Sequence, residues 1–504
     1  MDLIHRVVDI ARITSERAIL MDHVNQGKEF NTSVQTLNQP AKPHRISQSK
    51  LGVFRPPTAR KAVIADMDLL NAFQKKGLAL PAFLEAGPRA ELRHDFQKVR
   101  AAIVTTGGLA PGLHCVIHSI VKRHTHTYPV DRAFGRVFGV YNSFKGLCSL
   151  ADNHVDLDSD KTEEWLDQGG SKLGSVRYYH GGRPGKKAIA DMTKVITSNL
   201  INNNIDILYV IGGDNSLKVA HELAVANPTR SIVGIPKTMD NDILWVWQSF
   251  GFDTAVEQAT RVINTMRSEA EATRRICLIE LFGAESGFVA ANAALASGHV
   301  DLVLIPEVFN LLDARGAQDY LTEVITHIER TVQSEPHNPH AVAVVAEGVG
   351  TILENQGACI GNTKITKASF VTQFTEMIRG RVLDAHGEKV PVFVNQPHHL
   401  IRAVPANAHD QIYCERLGAL AVDNALAGYT DFMVSQWLTE YTLVPLRLVS
   451  EGQKSIPIKG IFWKQVVSST GQPLSPAEHV PKPPRGKNGE HLRQLTETLP
   501  RRHL

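Results

Sequence analysis

The chain has 504 residues, 43% hydrophobic and 21% charged, with a formal net charge of +3 at pH 7; this suits two or three globular domains and gives no reason to expect a nucleic-acid or membrane partner. Five cysteines, at 115, 148, 277, 359 and 414, lack metal-ligand spacing and fit reduced thiols in a cytoplasmic compartment better than a disulfide framework. The opening M-D-L-I-H-R-V-V-D-I-A-R lacks the pattern of a secretory signal, and no long uncharged apolar stretch follows, so no membrane span is expected.

Residues 1–98 are mixed in character, with a polar stretch from Asn31 to Gln48 and a break at Pro56-Pro57. They read as an extension packed on the main body or on a partner subunit. The first strong element is Lys98 to Ile117, K-V-R-A-A-I-V-T-T-G-G-L-A-P-G-L-H-C-V-I. An apolar strand runs into Thr106-Gly107-Gly108, and Pro111-Gly112 precedes an amphipathic helix. Such a strand-turn-helix junction brings backbone amides close to a phosphate; alone, it is equally an ordinary tight turn. Arg136 to Leu147 gives a further strand and loop, followed by the basic glycine-rich run K-L-G-S-V-R-Y-Y-H-G-G-R-P-G-K-K, whose arginines either meet phosphates or are simply exposed.

The stretch from Asp206 to Asp242 contains two apolar runs, each ending on a turn rich in carboxylates: D-I-L-Y-V-I-G-G-D-N-S and G-I-P-K-T-M-D-N-D. Buried parallel strands that present a ligand at their C-terminal ends have this pattern. Leu217 to Ala226 reads as a helix between them. Gly212 and Gly213 let the chain turn beneath a ligand, and Asp214 beside them suits a hydrated divalent cation. Thr238 and Asp240, two residues apart in an extended turn, point into one cleft, with Asp242 on the same edge. Taken singly, each aspartate is also a common cap or turn residue. Further on, Gly251 to Ala272 spaces apolar residues as a long helix; Arg275 to Leu281 is a strand, S-G-F-V-A-A-N-A-A-L-A-S a buried helix, V-D-L-V-L-I-P-E a strand, and H-A-V-A-V-V-A-E-G a strand ending on Glu347. Strands alternating with helices predict parallel sheets. Pro481 to Arg485, with Arg501, Arg502 and His503, reads as a solvated tail.

The anchors T-G-G-L-A-P-G-L, I-G-G-D-N-S, G-I-P-K-T-M-D-N-D-I, S-F-G-F-D-T-A-V-E, L-I-P-E, A-E-G, I-R-A-V-P-A-N-A and S-S-T-G-Q-P stand in this order between Val99 and Pro473. On them the chain resembles the phosphofructokinases, specifically the long form of plants, trypanosomatids and some bacteria. The resemblance implies an α/β fold of two Rossmann-like three-layer α/β/α domains, here with an N-terminal extension, and a cleft between the domains. There a phosphoryl group passes to the 1-hydroxyl of fructose 6-phosphate, with Mg2+ as cofactor. The implied division is an extension over 1–98; a first domain over 99–250 with the donor-phosphate and metal turns, completed by about 400–447; a second domain over 251–399 on the sugar-phosphate side; and a C-terminal segment and tail over 448–504.

By motif, the resemblance makes Asp240 the general base with Thr238 and Asp242 beside it, Asp214 the magnesium residue, and Gly108 the glycine whose amide meets the transferring phosphate. Gly213, Asn215, Ser216 and Lys237 fall on the donor side, with Arg177 as the best candidate for a phosphate-contacting arginine and His180 as a rival alignment. Phe282, Gly283, Glu347, His399 and Arg402 fall on the sugar side. Arg275 matches an arginine given to the neighbouring subunit's site, which implies a homo-oligomer, dimer or tetramer, with shared sites. Two departures stand out: Ala284 where most members carry arginine, and Phe393 near the place of a sugar-phosphate-binding cation. The donor turns on Asn215: a side chain there crowds a nucleotide's α-phosphate and favours diphosphate, Lys237 is shared with long ATP-dependent members and does not decide, and the overall pattern favours ATP. The reading adopted is an ATP-dependent 6-phosphofructokinase, with a diphosphate-dependent enzyme and a non-catalytic sugar-phosphate or nucleotide-binding relative as alternatives.

Overall fold

Ile207–Gly212 and Ser231–Pro236 are buried at all six positions each, as strands must be when helices cover both faces of their sheet. The structure is a computed structural model that describes residues 14–63, 66–176, 186–360 and 363–476. Arg177, His180 and the expected C-terminal tail lie outside those residues.

Two sheets carry the fold. In chain order the strands are β1 (Arg60–Ala62), β2 (Ala82–Glu85), β3 (Arg100–Thr105), β4 (Arg136–Val140), β5 (His154–Asp156), β6 (Ile207–Gly212), β7 (Ser231–Pro236), β8 (Ile276–Leu281), β9 (Leu302–Leu304), β10 (Ala341–Ala346), β11 (Val392–Asn395), β12 (Phe432–Trp437) and β13 (Glu440–Pro445). The nine-stranded sheet has the order β1-β2-β13-β12-β7-β6-β3-β4-β5, and the four-stranded sheet β9-β10-β8-β11. Strands β4, β3, β6, β7 and β12 are parallel to one another, while β1, β2, β13 and β5 add antiparallel edges. The second sheet is parallel throughout. The fold is therefore two Rossmann-like α/β domains, with the first sheet closed by chain that returns after residue 400.

Alternation along the strands separates the two faces of the large sheet. Ala101, Ile103, Ile207, Tyr209, Ile211, Val233 and Ile235 pack on one side against α-helices Leu113–Lys122 and Ala408–Leu426. Ala102, Val104, Leu208, Val210 and Ile232 pack on the other, against helices Lys186–Asn202 and Asp214–Ala226. Register matters most for function. Thr105 pairs with Ile211 and Gly212 with Pro236, so the three strand ends, and the turns after them, lie side by side. In the second sheet Leu281 pairs with Ala346, placing Phe282 and Glu347 next to each other just past the strand ends.

The segment before residue 98 does more than pack on the body. It supplies β1 and β2 to the large sheet, and Leu20, Val24, Phe30 and Phe73 to the core on the side opposite helix Ala408–Leu426. The long helix expected after Gly251 spans Phe252–Thr273, and the buried one spans Phe288–Ser297. Helix Asp214–Ala226 starts three residues before the expected Leu217, because Gly213 is extended and Asp214 suits the positive end of a helix. Among the described residues, no helix is long and apolar enough to cross a membrane.

Candidate active site

Three turns at adjacent strand ends form one wall. The turn after β3 needs glycine: Gly107 has φ +87, a left-handed conformation that disfavours a side chain. A Cβ on Gly107 would lie 3.5 Å from Lys237 Nζ, and one on Gly212 would lie 2.4 Å from the Ser216 Cβ. The buried Lys237 ammonium donates to the Gly108 carbonyl, which ties the first turn to the third. Ser216 Oγ donates to Thr106 Oγ1 at 3.4 Å and ties it to the second. Gly108, Gly213, Ser216 and Lys237, expected on the donor side, are therefore brought together. Asn215 lies exposed in the first turn of the helix beside them.

The turn Thr238–Asp242 carries the acids. Thr238 Oγ1 accepts from the Asp240 amide at 3.0 Å and hydrogen-bonds the Asp242 carboxylate. Burial pushes the Asp240 carboxyl up to about 7; the charges of Asp242 and Glu347 add to this, while Lys237 and Arg402 oppose it. Burial and the charge of Asp214 push Asp242 up to about 6. A carboxyl that titrates near neutrality has the basicity suited to taking a hydroxyl proton. Asn241 between the two acids is left-handed, with φ 55.

Asp214 faces Lys218 Nζ at 3.5 Å and the Gln453 amide nitrogen at 3.4 Å. Among the described residues, no group of three or more histidine, cysteine or acidic side chains converges as a ligand cage. Mg2+ does not need one: it keeps several waters and takes one or two carboxylates plus substrate phosphates. Asp214, close enough to raise Asp242 by its charge, fits that donor set.

The opposite wall comes from the second sheet. The Arg402 guanidinium stacks over the Phe282 ring at 4.4 Å, and His398 stacks on the same ring with centroids 4.5 Å apart. Arg402 Nη2 lies 3.3 Å from His399 Nδ1, and Nη1 would be 3.9 Å from a Cβ on Gly108. Arg402 thus reaches from the sugar-side wall to the donor turn. Glu347 holds Lys367 Nζ at 2.6 Å. Ser286 Oγ donates to the Asp240 carbonyl at 3.0 Å, and its amide donates to the Gly283 carbonyl at 2.6 Å, which fastens the Thr238–Asp242 turn to the Phe282-Gly283 turn.

Arg275 is the exception. It is exposed at the start of β8, and a six-residue strand puts it about 20 Å from Phe282 at the other end. Ala284 is exposed, with φ 44. Phe393 pairs in register with Cys277 and packs against the core of the second domain. Sequence reasoning missed Ser286, Lys367, His398, Gln453 and Lys454 around these walls. Ser286 opens the segment read only as a buried helix, and His398 stands next to the motif I-R-A-V-P-A-N-A; Lys367, Gln453 and Lys454 lie where no recognisable pattern marks them.

A family model described as phosphofructokinase matches residues 100–425. The ATP-dependent 6-phosphofructokinase of Borreliella burgdorferi is 35% identical over 404 residues, covering 78% of this chain and 85% of that protein. ATP-dependent 6-phosphofructokinase 1 of Arabidopsis thaliana is 35% identical over 401 residues, covering 78% and 79%. The ATP-dependent 6-phosphofructokinase of Trypanosoma cruzi is 30% identical over 392 residues, covering 76% and 75%. Among solved structures, a pyrophosphate-dependent phosphofructokinase from Marinobacter aquaeolei superposes with a TM-score of 0.57 at 17% identity, over 78% of this chain and 94% of that one. The phosphofructokinase of Saccharomyces cerevisiae gives a TM-score of 0.53 at 21% identity over 70% of this chain; the match spans 45% of the yeast chain. These structural likenesses bear on the fold.

Proposed function

The chain belongs to the phosphofructokinase family, and from that premise we propose that it transfers a phosphoryl group from ATP to the 1-hydroxyl of fructose 6-phosphate. The observation that carries the reading is Asp240: a half-buried carboxyl with its pKa lifted to about 7, on a turn fixed between the donor glycines and the sugar-side wall. Asp240 accepts the proton of the 1-hydroxyl as that oxygen meets the transferring phosphorus. Thr238 holds the turn's geometry through the Asp240 amide. The Gly107-Gly108 backbone and Lys237 hold the donor phosphates, and Arg402 with His399 grips the sugar phosphate through a planar guanidinium fork. Glu347 accepts from sugar hydroxyls and exchanges its Lys367 partner as it does so. Bound Mg2+ on Asp214 supplies charge neutralisation for the donor phosphates, the main electrostatic need of phosphoryl transfer.

Arg275 serves the site of a neighbouring subunit in a homo-oligomer, since its own site is a strand's length away. Residues 99–250 with 400–447 form the donor side and 251–399 the sugar side. The five cysteines, all free in the structure, fit a reducing cytoplasmic compartment. Relatives named as ATP-dependent, at 30–35% identity, support ATP as donor. Diphosphate is the second reading, favoured by the side chain of Asn215 beside the donor turn. The test is turnover of purified protein with fructose 6-phosphate and Mg2+, with ATP and diphosphate offered in parallel and Asp240→Ala as control. Turnover that needs Asp240 and prefers ATP is expected; no turnover with either donor, or turnover indifferent to the control, sinks the reading.

A further inference from the structure

Four consecutive residues after β13, Gln453 to Ile456, touch four separate parts of the molecule. Gln453 donates to Asp214 at 3.4 Å. The Lys454 amide donates to the Asp242 carbonyl at 2.8 Å. Lys454 Nζ, 1% exposed, donates to Asn241 Oδ1 at 2.9 Å and to the carbonyls of Val246 at 2.6 Å and Trp247 at 3.2 Å. The Ser455 amide donates to Ser15 Oγ at 3.3 Å, and the Ile456 amide to Glu307 at 3.2 Å.

The segment these contacts hold is under strain. Asn241 and Trp245 both have positive φ, 55 and 63, and a left-handed tryptophan is a strained conformation that its surroundings must offset. The N-terminal segment supplies much of that grip. Glu16, in helix Thr14–Gln26 and 1% exposed, accepts from the Trp245 amide at 2.9 Å. The Trp245 ring meets Phe30 at 5.0 Å and Phe83 at 5.7 Å between centroids. Burial raises the pKa of the Glu16 carboxyl above its ordinary value, and the positive charge of Lys454 across the turn opposes that rise. A buried carboxyl and a buried ammonium are both costly to leave without hydrogen-bond partners, and Glu16 Oε1 and Lys454 Nζ both find theirs on this turn. Their placement around one turn therefore gives that turn a single low-energy arrangement.

We propose that Gln453–Ile456 together with Glu16 form a buried strut that positions the Thr238–Asp242 turn, with Lys454 as its principal positioning residue, so that the N-terminal helix is a working part of the catalytic apparatus. This rests on Asp240 being the base. Neither Lys454 nor Glu16 touches a substrate. Their effect is to hold the Asp240 carboxyl at the reacting hydroxyl and Asp214 at the donor side simultaneously, through Asn241, Asp242 and Gln453.

The experiment compares full-length wild type, Lys454→Met, Glu16→Gln and the double variant by steady-state kinetics with fructose 6-phosphate and ATP, and by amide hydrogen exchange across residues 238–247. Lys454→Met is expected to lower kcat by about 100-fold, the scale of a misplacement of order 1 Å, with KM for both substrates changed by no more than about threefold. Its turn amides exchange faster than in wild type. Glu16→Gln keeps an acceptor for the Trp245 amide and loses only the charge, so its loss in kcat is smaller. The double variant is expected to be no worse than Lys454→Met, because both side chains act through the same turn. Unchanged kcat and unchanged exchange in folded Lys454→Met overturns the strut, as does a loss confined to KM or a double variant whose losses multiply. Should Lys454→Met not fold, Glu16→Gln decides: a lowered kcat with faster exchange at 240–245 supports the strut, and wild-type values for both overturn it. A wild type without turnover refutes the assignment of Asp240, while the exchange comparison still tests the strut.

Discussion

Replacing Asp240, the proposed base, with its neutral isostere should make the protein more stable as it becomes inactive. The Asp240 carboxyl is lifted from 3.8 to about 7, and about 3 pKa units correspond to about 4 kcal/mol at 1.36 kcal/mol per unit. The folded state binds this proton more tightly than the unfolded chain does. That stabilisation is complete below about pH 4 and is lost as pH rises through about 7, so at pH 8 the ionised carboxylate leaves the fold about 4 kcal/mol less stable than an uncharged group would. Burial is the first cause, and the charges of Asp242 and Glu347 follow. Asp240→Asn removes the ionisation and keeps the shape. After allowance for imperfect amide hydrogen bonds, the expected gain at pH 8 is about 2–4 kcal/mol. For 504 residues the unfolding entropy is about 1 kcal/mol/K, so the midpoint rises by about 2–4 °C. The assay is thermal unfolding of both proteins without substrate or Mg2+, at fixed subunit concentration, from pH 4 to 8. The gap should open with pH and vanish near pH 4, while kcat falls by at least about 100-fold. A gap that does not vary with pH refutes the burial argument, and turnover within about tenfold of wild type refutes the assignment of the base.

Other expectations follow from the same walls. Glu347→Gln removes a charge that raises Asp240, so the acid limb of kcat/KM should move to lower pH by up to about one unit, alongside a higher KM for the sugar phosphate; a limb that stays in place means that Glu347 and Asp240 are not electrically in contact. Arg402→Lys loses the stacking on Phe282 and the planar fork, and should raise KM for fructose 6-phosphate by about 10–100-fold, as expected for one charge-assisted hydrogen-bond pair; a change in donor KM alone would point to the Gly108 side instead. Asn215→Gly should raise the ratio of kcat/KM for ATP to that for diphosphate, and no shift removes the steric account of that position. Mixing Arg275→Ala subunits with Asp240→Asn subunits should restore part of the turnover that each lacks alone, since some mixed sites then carry both residues; no recovery in confirmed mixed oligomers means that Arg275 does not serve a neighbour.

What the sequence showed and what it hid divide along a physical line. Strand ends followed by glycine and acidic residues stand out locally, which is why Gly108, Asp214, Asp240 and Glu347 could be singled out as candidates, and parallel register sets their turns side by side. The motif I-R-A-V-P-A-N-A pointed to Arg402, but not that its guanidinium would lie on Phe282 and approach Gly108, because stacking across a cleft depends on two sheets that no local pattern relates. The least legible residues were those that act at a distance in sequence. Glu16 lies 229 positions before the Trp245 amide it accepts from, and Lys454 lies 213 positions after Asn241. An isolated glutamate in a helix and an isolated lysine in a loop are ordinarily solvated, and only their burial of 1% each marks them as different. A buried charge is retained against its desolvation cost only where something holds it in place, and here that something is the turn bearing the base. For this reason helix Thr14–Gln26, which carried no motif, belongs with the Thr238–Asp242 turn rather than with the periphery.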